Sequence, residues 1–307
     1  GAMDHCGRDW MSALPERLWD VPLTDLAIPG SHDAMSYCLD VNSPLVRTES
    51  DSFRFLDGLF YCITRPAIFK WATTQDKSIE EQLSMGIRFF DLRVAHKPHD
   101  SSSDLYFTHV IYTHLTVLET LSSVAAWLES HPREVVILAC SHFEGMDDRC
   151  HESFIFHLKD VAPLRPTVSK RHPVILTYDS QSAARHQQLW PDIPYHWANQ
   201  PTAQGVISYL DRCKDQGRPE GFFISGLNLT AERYYIATNP WQSLRTLTMS
   251  NWECLTKWLE RQVPGSEPRG LNIIAGDFVG TLPLCSLVIS LNRKLVQENG
   301  SLINRWS

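Results

Sequence analysis

No stretch of this 307-residue chain approaches the roughly 20 consecutive apolar residues of a membrane-spanning helix. The longest apolar stretch, Leu282 to Val296, is interrupted by Asn292, Arg293 and Lys294. An excess of positive charge is also missing. The net charge is -7, so the basic field of a nucleic-acid binder is absent. The same balance counts against strong electrostatic attachment to anionic lipid. The eight cysteines form no CxxC pair, which argues against a zinc site, and their scatter fits reduced thiols. The N-terminus, Asp4 to Trp10, lacks the apolar core of a signal peptide, so a cytoplasmic location is expected. Gly1-Ala2-Met3 reads as the remnant of a cleaved tag, and Gly1 and Ala2 are left out of the reading. Repeats, low-complexity tracts and long linkers are also lacking.

What is there is the composition of a globular protein, 43% hydrophobic and 21% charged, with ten tryptophans. Short apolar runs alternate with amphipathic segments. Strands are predicted at 23–28, 87–94, 105–110, 134–140, 174–178, 222–226 and 271–276, with a weaker one at 195–198. Three S/T-x-x-E capping boxes, at Ser78, Thr116 and Ser250, predict helix starts, and Gly86 can close the first helix. The helix after Thr116 puts Leu118, Leu121, Val124, Ala125 and Leu128 on one face. Further helices are predicted near 150–159, at 202–214 and at the C-terminus. The alternation predicts a single irregular (β/α) barrel of the TIM type. An open doubly wound sheet is the alternative, but no GxGxxG follows the first strand.

An insertion at about 42–76 breaks the alternation. It carries Phe53, Phe55, Leu56, Leu59, Phe60, Tyr61, Ile68, Phe69 and Trp71. Two readings stand: helices that cap the barrel, or an apolar surface that touches membrane. Trp241, in Asn239-Pro240-Trp241, is either a second such contact or a buried residue.

A barrel gathers its chemistry at the C-terminal ends of its strands. The polar residues predicted there are Ser31, His32, Asp33, Asp91, Arg93, Thr108, His109, Ser141, His142, Tyr178, Asp179 and Asp277. Histidines can both take and give protons near neutral pH. Arginine offers phosphate oxygens a fork that stays charged. Carboxylates orient imidazoles. The set points to general acid–base chemistry at an anionic centre.

Ile28-Pro29-Gly30-Ser31-His32-Asp33, Gly86-Ile87-Arg88-Phe89-Phe90-Asp91-Leu92-Arg93 and Tyr106-Phe107-Thr108-His109 together resemble the X region of phosphatidylinositol-specific phospholipases C. The likeness is greatest to the small eukaryotic proteins that carry little beyond that barrel. It extends from about Asp25 to Phe278 and is thinner after Asp179. The resemblance implies cleavage of a phosphoinositide lipid substrate during transient contact with a membrane surface. It implies His32 as the general base on the inositol 2-hydroxyl and His109 as the general acid on the leaving diacylglycerol oxygen. Asp277 would orient the base, Asp33 would work with the second histidine, and Arg93 would stabilise the phosphate. Asp91 is read as a supporting group, Tyr178 and Asp179 as headgroup contacts, and His142 as structural. Calcium-dependent relatives have an acidic residue in place of Arg93, Asn in place of Asp33 and Glu in place of Ser141. The substitution of a guanidinium predicts catalysis without calcium or any other cofactor. Relatives often have glycine after the second histidine, where this chain has Val110, and His114 competes with His109 for the acid role. A catalytically idle phosphoinositide- or protein-binding barrel is the alternative function. A glycerophosphodiesterase fits poorly, because Ser31-His32-Asp33 lacks that family's His-Arg start.

Overall fold

The computed structural model describes residues 5–161 and 174–296. Within them one sheet contains β1 (Ile28–Ser31), β2 (Phe89–Ala95), β3 (Tyr106–His109), β4 (Ile111–Thr116), β5 (Val136–Glu144), β6 (Val174–Tyr178), β7 (Tyr195–His196), β8 (Ile224–Gly226) and β9 (Ile273–Gly276). Parallel pairing runs β6-β5-β2-β1-β9-β8-β7. Between β6 and β7 the sheet is open, and a single bridge from Trp190 to Thr177 stands in the gap. The predicted irregular barrel is the observed fold.

Helix α1 (His5–Arg8) opens the chain, and α2 (Asp51–Leu59) with α3 (Tyr61–Ala72) fills the insertion. Around the barrel lie α4 (Ile79–Met85), α5 (Val117–Ser130), α6 (Asp148–Val161), α7 (Ala203–Asp215), α8 (Arg233–Thr238), α9 (Leu244–Glu260) and α10 (Leu284–Leu291). The capping boxes at Ser78 and Thr116 form, and Gly86, at φ 121°, closes α4. Leu118 faces solvent instead of the core; the buried face of α5 is Val117, Thr120, Leu121, Val124 and Leu128. The seven described cysteines after Cys6 are free thiols.

Strand parity organises the core. Successive side chains on a strand face opposite sides. Ile28, Phe89, Ile137, Ala139, Ile175, Ile224, Ile273 and Ala275 fill the barrel interior. Phe90, Leu92, Val94, Leu138, Cys140, Leu176 and Ile274 pack outward against the helices. Gly30 belongs to the inner row, where a Cβ would lie 2.9 Å from the Phe89 ring and 3.1 Å from Ala275 Cβ. Continuing each inner row past its last apolar residue brings His32, Asp91, Arg93, Ser141, Asp179 and Asp277 to the same rim.

Besides Leu118, three expectations need correction. Residues 23–25 form a 3-10 turn, and the first strand starts at Ile28. The Asn272 side chain donates to the Leu23 and Leu26 carbonyls, which takes those acceptors out of any ladder. The segment 105–110 is no stave: β3 runs antiparallel to β2 and turns back at Val110 into β4. Finally, Ser250 heads no helix. It lies inside α9, whose N-cap is Ser243, and its hydroxyl donates to the Leu247 carbonyl.

At the opposite end the N-terminal segment packs Trp10, Met11 and Leu14 onto the interior and is held by a buried ion pair. Arg88 Nη2 lies 2.9 Å from Glu134 Oε1, and both side chains are fully buried. Glu134 also accepts from the Met11 and Ser12 amides and the Ser12 hydroxyl, tying the N-terminal segment across the barrel floor. Glu134→Ala would strand the guanidinium, so chemical denaturation should show a loss of about 3–5 kcal/mol. A loss within experimental error would mean that the pair does not organise this end.

Candidate active site

Two histidines face one cavity of about 770 Å³, each beside its own carboxylate. His32 follows β1, and its Nδ1 lies 2.7 Å from Oδ1 of Asp277, which follows β9 and is fully buried. An ionised carboxylate can only accept, so Nδ1 carries the hydrogen and Nε2 presents a lone pair. Arg93 Nη2 lies 3.2 Å from that Nε2 and 3.4 Å from Asp91 Oδ2. Asp91 Oδ2 also accepts from the Asp33 amide at 2.9 Å, which links the β1 turn to β2. His109, at the end of β3, has Nδ1 3.1 Å from Asp33 Oδ2 and 2.6 Å from the Ala72 carbonyl at the end of α3. The Ala72 carbonyl can only accept, so this Nδ1 also carries hydrogen and donates there, with the Asp33 carboxylate alongside. His109 reaches the rim from an antiparallel hairpin and not from a parallel stave.

Four residues at this rim hold left-handed backbone: Asp33 (φ 45°), Val110 (68°), His142 (51°) and Phe278 (51°). Such geometry is costly for a β-branched residue and is found where surrounding structure imposes it. Val110 thus keeps a turn that glycine would make without strain.

The cavity lining is mixed. His32, Asp91, Arg93, Ser141, His142, Asp179, Asp192 and Tyr195 line it beside the inner-row residues Phe89, Ala139 and Ile224. Phe53, Ile68 and Trp71 from the insertion also line it, with Trp71 packed against Leu244, Ala231 and Ile236.

A family model described as PI-PLC X 1 matches residues 69–155. The PI-PLC X domain-containing protein 1 of Homo sapiens is 44% identical over 307 residues, covering 95% of both chains. Its namesake in Danio rerio is 46% identical over 303 residues, covering 94% of this chain and 98% of that one. This chain belongs to the PI-PLC X domain-containing family. The barrel is also similar in fold to the phosphatidylinositol-specific phospholipase C of Listeria monocytogenes, with a TM-score of 0.61 at 17% identity over 93% of this chain and 98% of that one. For a mutant of the Staphylococcus aureus enzyme the TM-score is 0.62 at 16% identity, over 94% and 98% of the two chains.

In this X-domain chain the rim brings together His32, Asp33, Asp91, Arg93, His109 and Asp277. His114 lies apart, exposed and 3.8 Å from Asp40. Tyr178 does not reach the cavity. Its parity on β6 turns it outward, where its ring packs on Phe143 and its hydroxyl meets His151 Nδ1 at 2.7 Å. Asp179, one residue on, does line the cavity. His142, read from sequence as structural, presents its ring to the cavity, with Nδ1 2.8 Å from the Ser141 hydroxyl. Tyr195, Asp192, Trp197 and Arg233 are lining residues that the sequence did not flag. Tyr195 sits edge-on to His32, and its hydroxyl donates to Asn228 Oδ1 at 2.8 Å. It opens the weak strand 195–198, so the rule that chemistry collects at strand ends gave no signal for it.

Electrostatics follow the geometry. Burial works to lower the His32 imidazole, but Asp277 outweighs it and the net direction is upward from the ordinary 6.5. Burial would raise the Asp91 carboxyl, yet the Arg93 guanidinium holds it below its usual value. Burial and then Arg93 push the His142 imidazole down. Burial and then Asp179 push Asp192 up. Because the folded value of His32 is raised, the protonated pair with Asp277 stabilises the fold below about pH 6.5. That contribution fades as pH rises through the folded value. In Asp277→Asn, burial and Arg93 are left opposed mainly by Asp91, so NMR titration should find His32 below 6.5. An unchanged titration would mean that Asp277 does not control this ring.

Proposed function

We propose that the chain is a phosphoric diester hydrolase of the phospholipase C type, acting on phosphatidylinositol-like lipids without a catalytic metal. The observation that carries this reading is two histidines, each beside a buried carboxylate, with Arg93 against His32, in one cavity lined by charged and apolar side chains. An amphiphile with a phosphodiester between polyol and acyl chains matches that mixed lining.

In the first step His32 Nε2 takes the proton of the inositol 2-hydroxyl, and that oxygen attacks phosphorus. His109, protonated, gives its Nε2 proton to the glycerol oxygen as the P–O bond breaks. Diacylglycerol leaves, and a 1,2-cyclic phosphate remains. In the second step His109 takes a proton from water, the hydroxide opens the ring, and His32 returns its proton to the 2-oxygen. Arg93 moves from His32 Nε2 to a non-bridging phosphate oxygen, and its charge stays available throughout. Asp91 anchors the guanidinium from behind.

Calcium independence rests on the same arginine. Calcium takes six to eight oxygens, usually several of them carboxylate. Here the guanidinium occupies the space between Asp91 and His32, and the His109 ring stands 3.1 Å from Asp33 Oδ2. Among the described residues no group of three or more His, Cys, Asp or Glu could hold a metal ion. These residues do not fit a divalent cation.

The apolar outer surface of the insertion supports membrane contact. Phe55 is 66% exposed, Ile63 67%, and Leu56, Leu59 and Phe60 about half. Trp241 is 68% exposed, and its loop is tied to α3 by Trp71 Nε1 donating to the Asn239 carbonyl. Among the described residues no helix is long and apolar enough to cross a membrane. The expected contact is through these exposed side chains, at the membrane surface.

Release of inositol phosphate from phosphatidylinositol micelles should persist in excess chelator. His32→Ala or His109→Ala should reduce it by about 10²–10⁴-fold or more. Dependence on calcium would overturn the metal-free mechanism, and inositol-lipid binding without turnover would favour an idle binding barrel. Phe55→Ser with Ile63→Ser should weaken vesicle binding by about tenfold or more, given ~25 cal/mol per Å² of apolar surface buried. Turnover of a short-chain, monomeric substrate should be retained. Unaltered vesicle binding would remove the insertion as a lipid contact.

A further inference from the structure

Thr74 and Gln75 follow Thr73, the C-cap of α3, and both are buried. Their hydrogen bonds go to the two strained turns that carry His32 and Asp277. Gln75 Nε2 donates to the carbonyls of His32 at 2.9 Å and Gly276 at 3.0 Å. Gln75 Oε1 accepts from the Val279 amide at 3.1 Å. The chemistry fixes the orientation of this amide, since two carbonyls demand the NH₂ and an N–H demands the oxygen. The Phe278 amide donates to the Thr74 carbonyl at 2.8 Å. The Thr74 hydroxyl hydrogen is shared between the carbonyls of His32 at 3.1 Å and Asp33 at 3.0 Å. Ser36 completes the arrangement, its oxygen accepting from the Thr74 and Gln75 amides and lying 2.7 Å from the Thr74 hydroxyl.

Asp33 and Phe278, both in left-handed backbone, are thus held from a third segment that belongs to neither β1 nor β9. Strained conformations persist where the surroundings over-determine them. Removing the Gln75 amide would leave the His32 carbonyl sharing one donor, and would leave the Val279 amide unpaired.

We infer that Thr74 and Gln75 are positioning residues, a clasp that holds the turns of His32 and Asp277 together and so sets the imidazole–carboxylate bond. This rests on His32 being the general base. The clasp itself stands on geometry alone. It also joins α3 to the site: two residues before Thr74, the Ala72 carbonyl accepts from His109. One short stretch of chain therefore anchors both histidines.

The test is Gln75→Met, which keeps volume and removes the bonds, beside Thr74→Val and Thr74→Ser. In the wild type the His32 Nδ1 proton, shared with a buried carboxylate, should give a low-field NMR resonance. Gln75→Met and Thr74→Val should lose or broaden it. With phosphatidylinositol they should lower kcat by about 10²-fold, the scale of a misplacement near 1 Å, while KM changes by less than about threefold. Thr74→Ser, which keeps the hydroxyl, should retain both resonance and kcat. If Gln75→Met does not fold, the Thr74 pair decides. A lower Tm with resonance and kcat at wild-type values would overturn the proposal, because the two residues would then only stabilise the fold. A wild type that turns over no inositol lipid would count against the catalytic reading, and the resonance would still decide the clasp.

Discussion

A buried carboxylate 2.7 Å from an imidazole nitrogen is the contact on which this site depends. Asp277 is out of water, which is costly for an ionised group unless its charge is answered. Burial accordingly pushes the Asp277 carboxyl up, with His32 pulling against it, and the bond confines His32 to one tautomer with its lone pair turned into the cavity. The bond spans β1 and β9, adjacent parallel strands whose register is fixed by Ile28 opposite Ile273 through Ser31 opposite Gly276. A one-residue slip would turn Asp277 to the helix side of the sheet. Gly30 enforces the close approach of these strands, because any side chain there would meet Phe89 and Ala275.

Arg93 connects this pair to the rest of the rim. Its partner Asp91 takes the Asp33 amide, Asp33 faces His109, and His109 reaches the end of α3. The insertion is therefore part of the site on its inner side and an exposed apolar surface on its outer side. Its own fold is fixed by Arg65, which pairs with Asp57 and donates to the Val41 and Ser43 carbonyls. Burial opposes ionisation of Asp57, but Arg65 prevails and holds its carboxyl below the usual value. A rigid hairpin with apolar residues on the outside is suited to meet lipid while its last carbonyl stays on a histidine.

Much of the rim was legible because two simple periodicities fix it. Inner residues on a strand recur every second position, and chemistry collects where the row ends. His32, Asp91, Arg93 and Asp277 follow from that rule. The same rule, applied without knowing the parity of β6, put Tyr178 into the cavity beside Asp179, although adjacent residues cannot both face inward. His109 required a hairpin that local propensity does not distinguish from a parallel stave. Ser250 to Glu253 repeats the pattern of a capping box in the interior of a helix, where the backbone donors are already used. The clasp of Thr74 and Gln75 was illegible, since neither residue marks an element and every partner lies far away in sequence or across a turn. His142 was underestimated because a lone histidine at a strand end carries no sign of whether it faces a cavity.

The central claim is that an intramolecular hydroxyl, activated by His32, displaces the glycerol oxygen at phosphorus. Phosphorus NMR during turnover of phosphatidylinositol vesicles in chelator tests it most directly, because a five-membered cyclic diester and an acyclic monoester resonate apart. The account predicts that the cyclic ester appears first and that the monoester grows from it later. A monoester formed from the outset, with no cyclic ester, would contradict it.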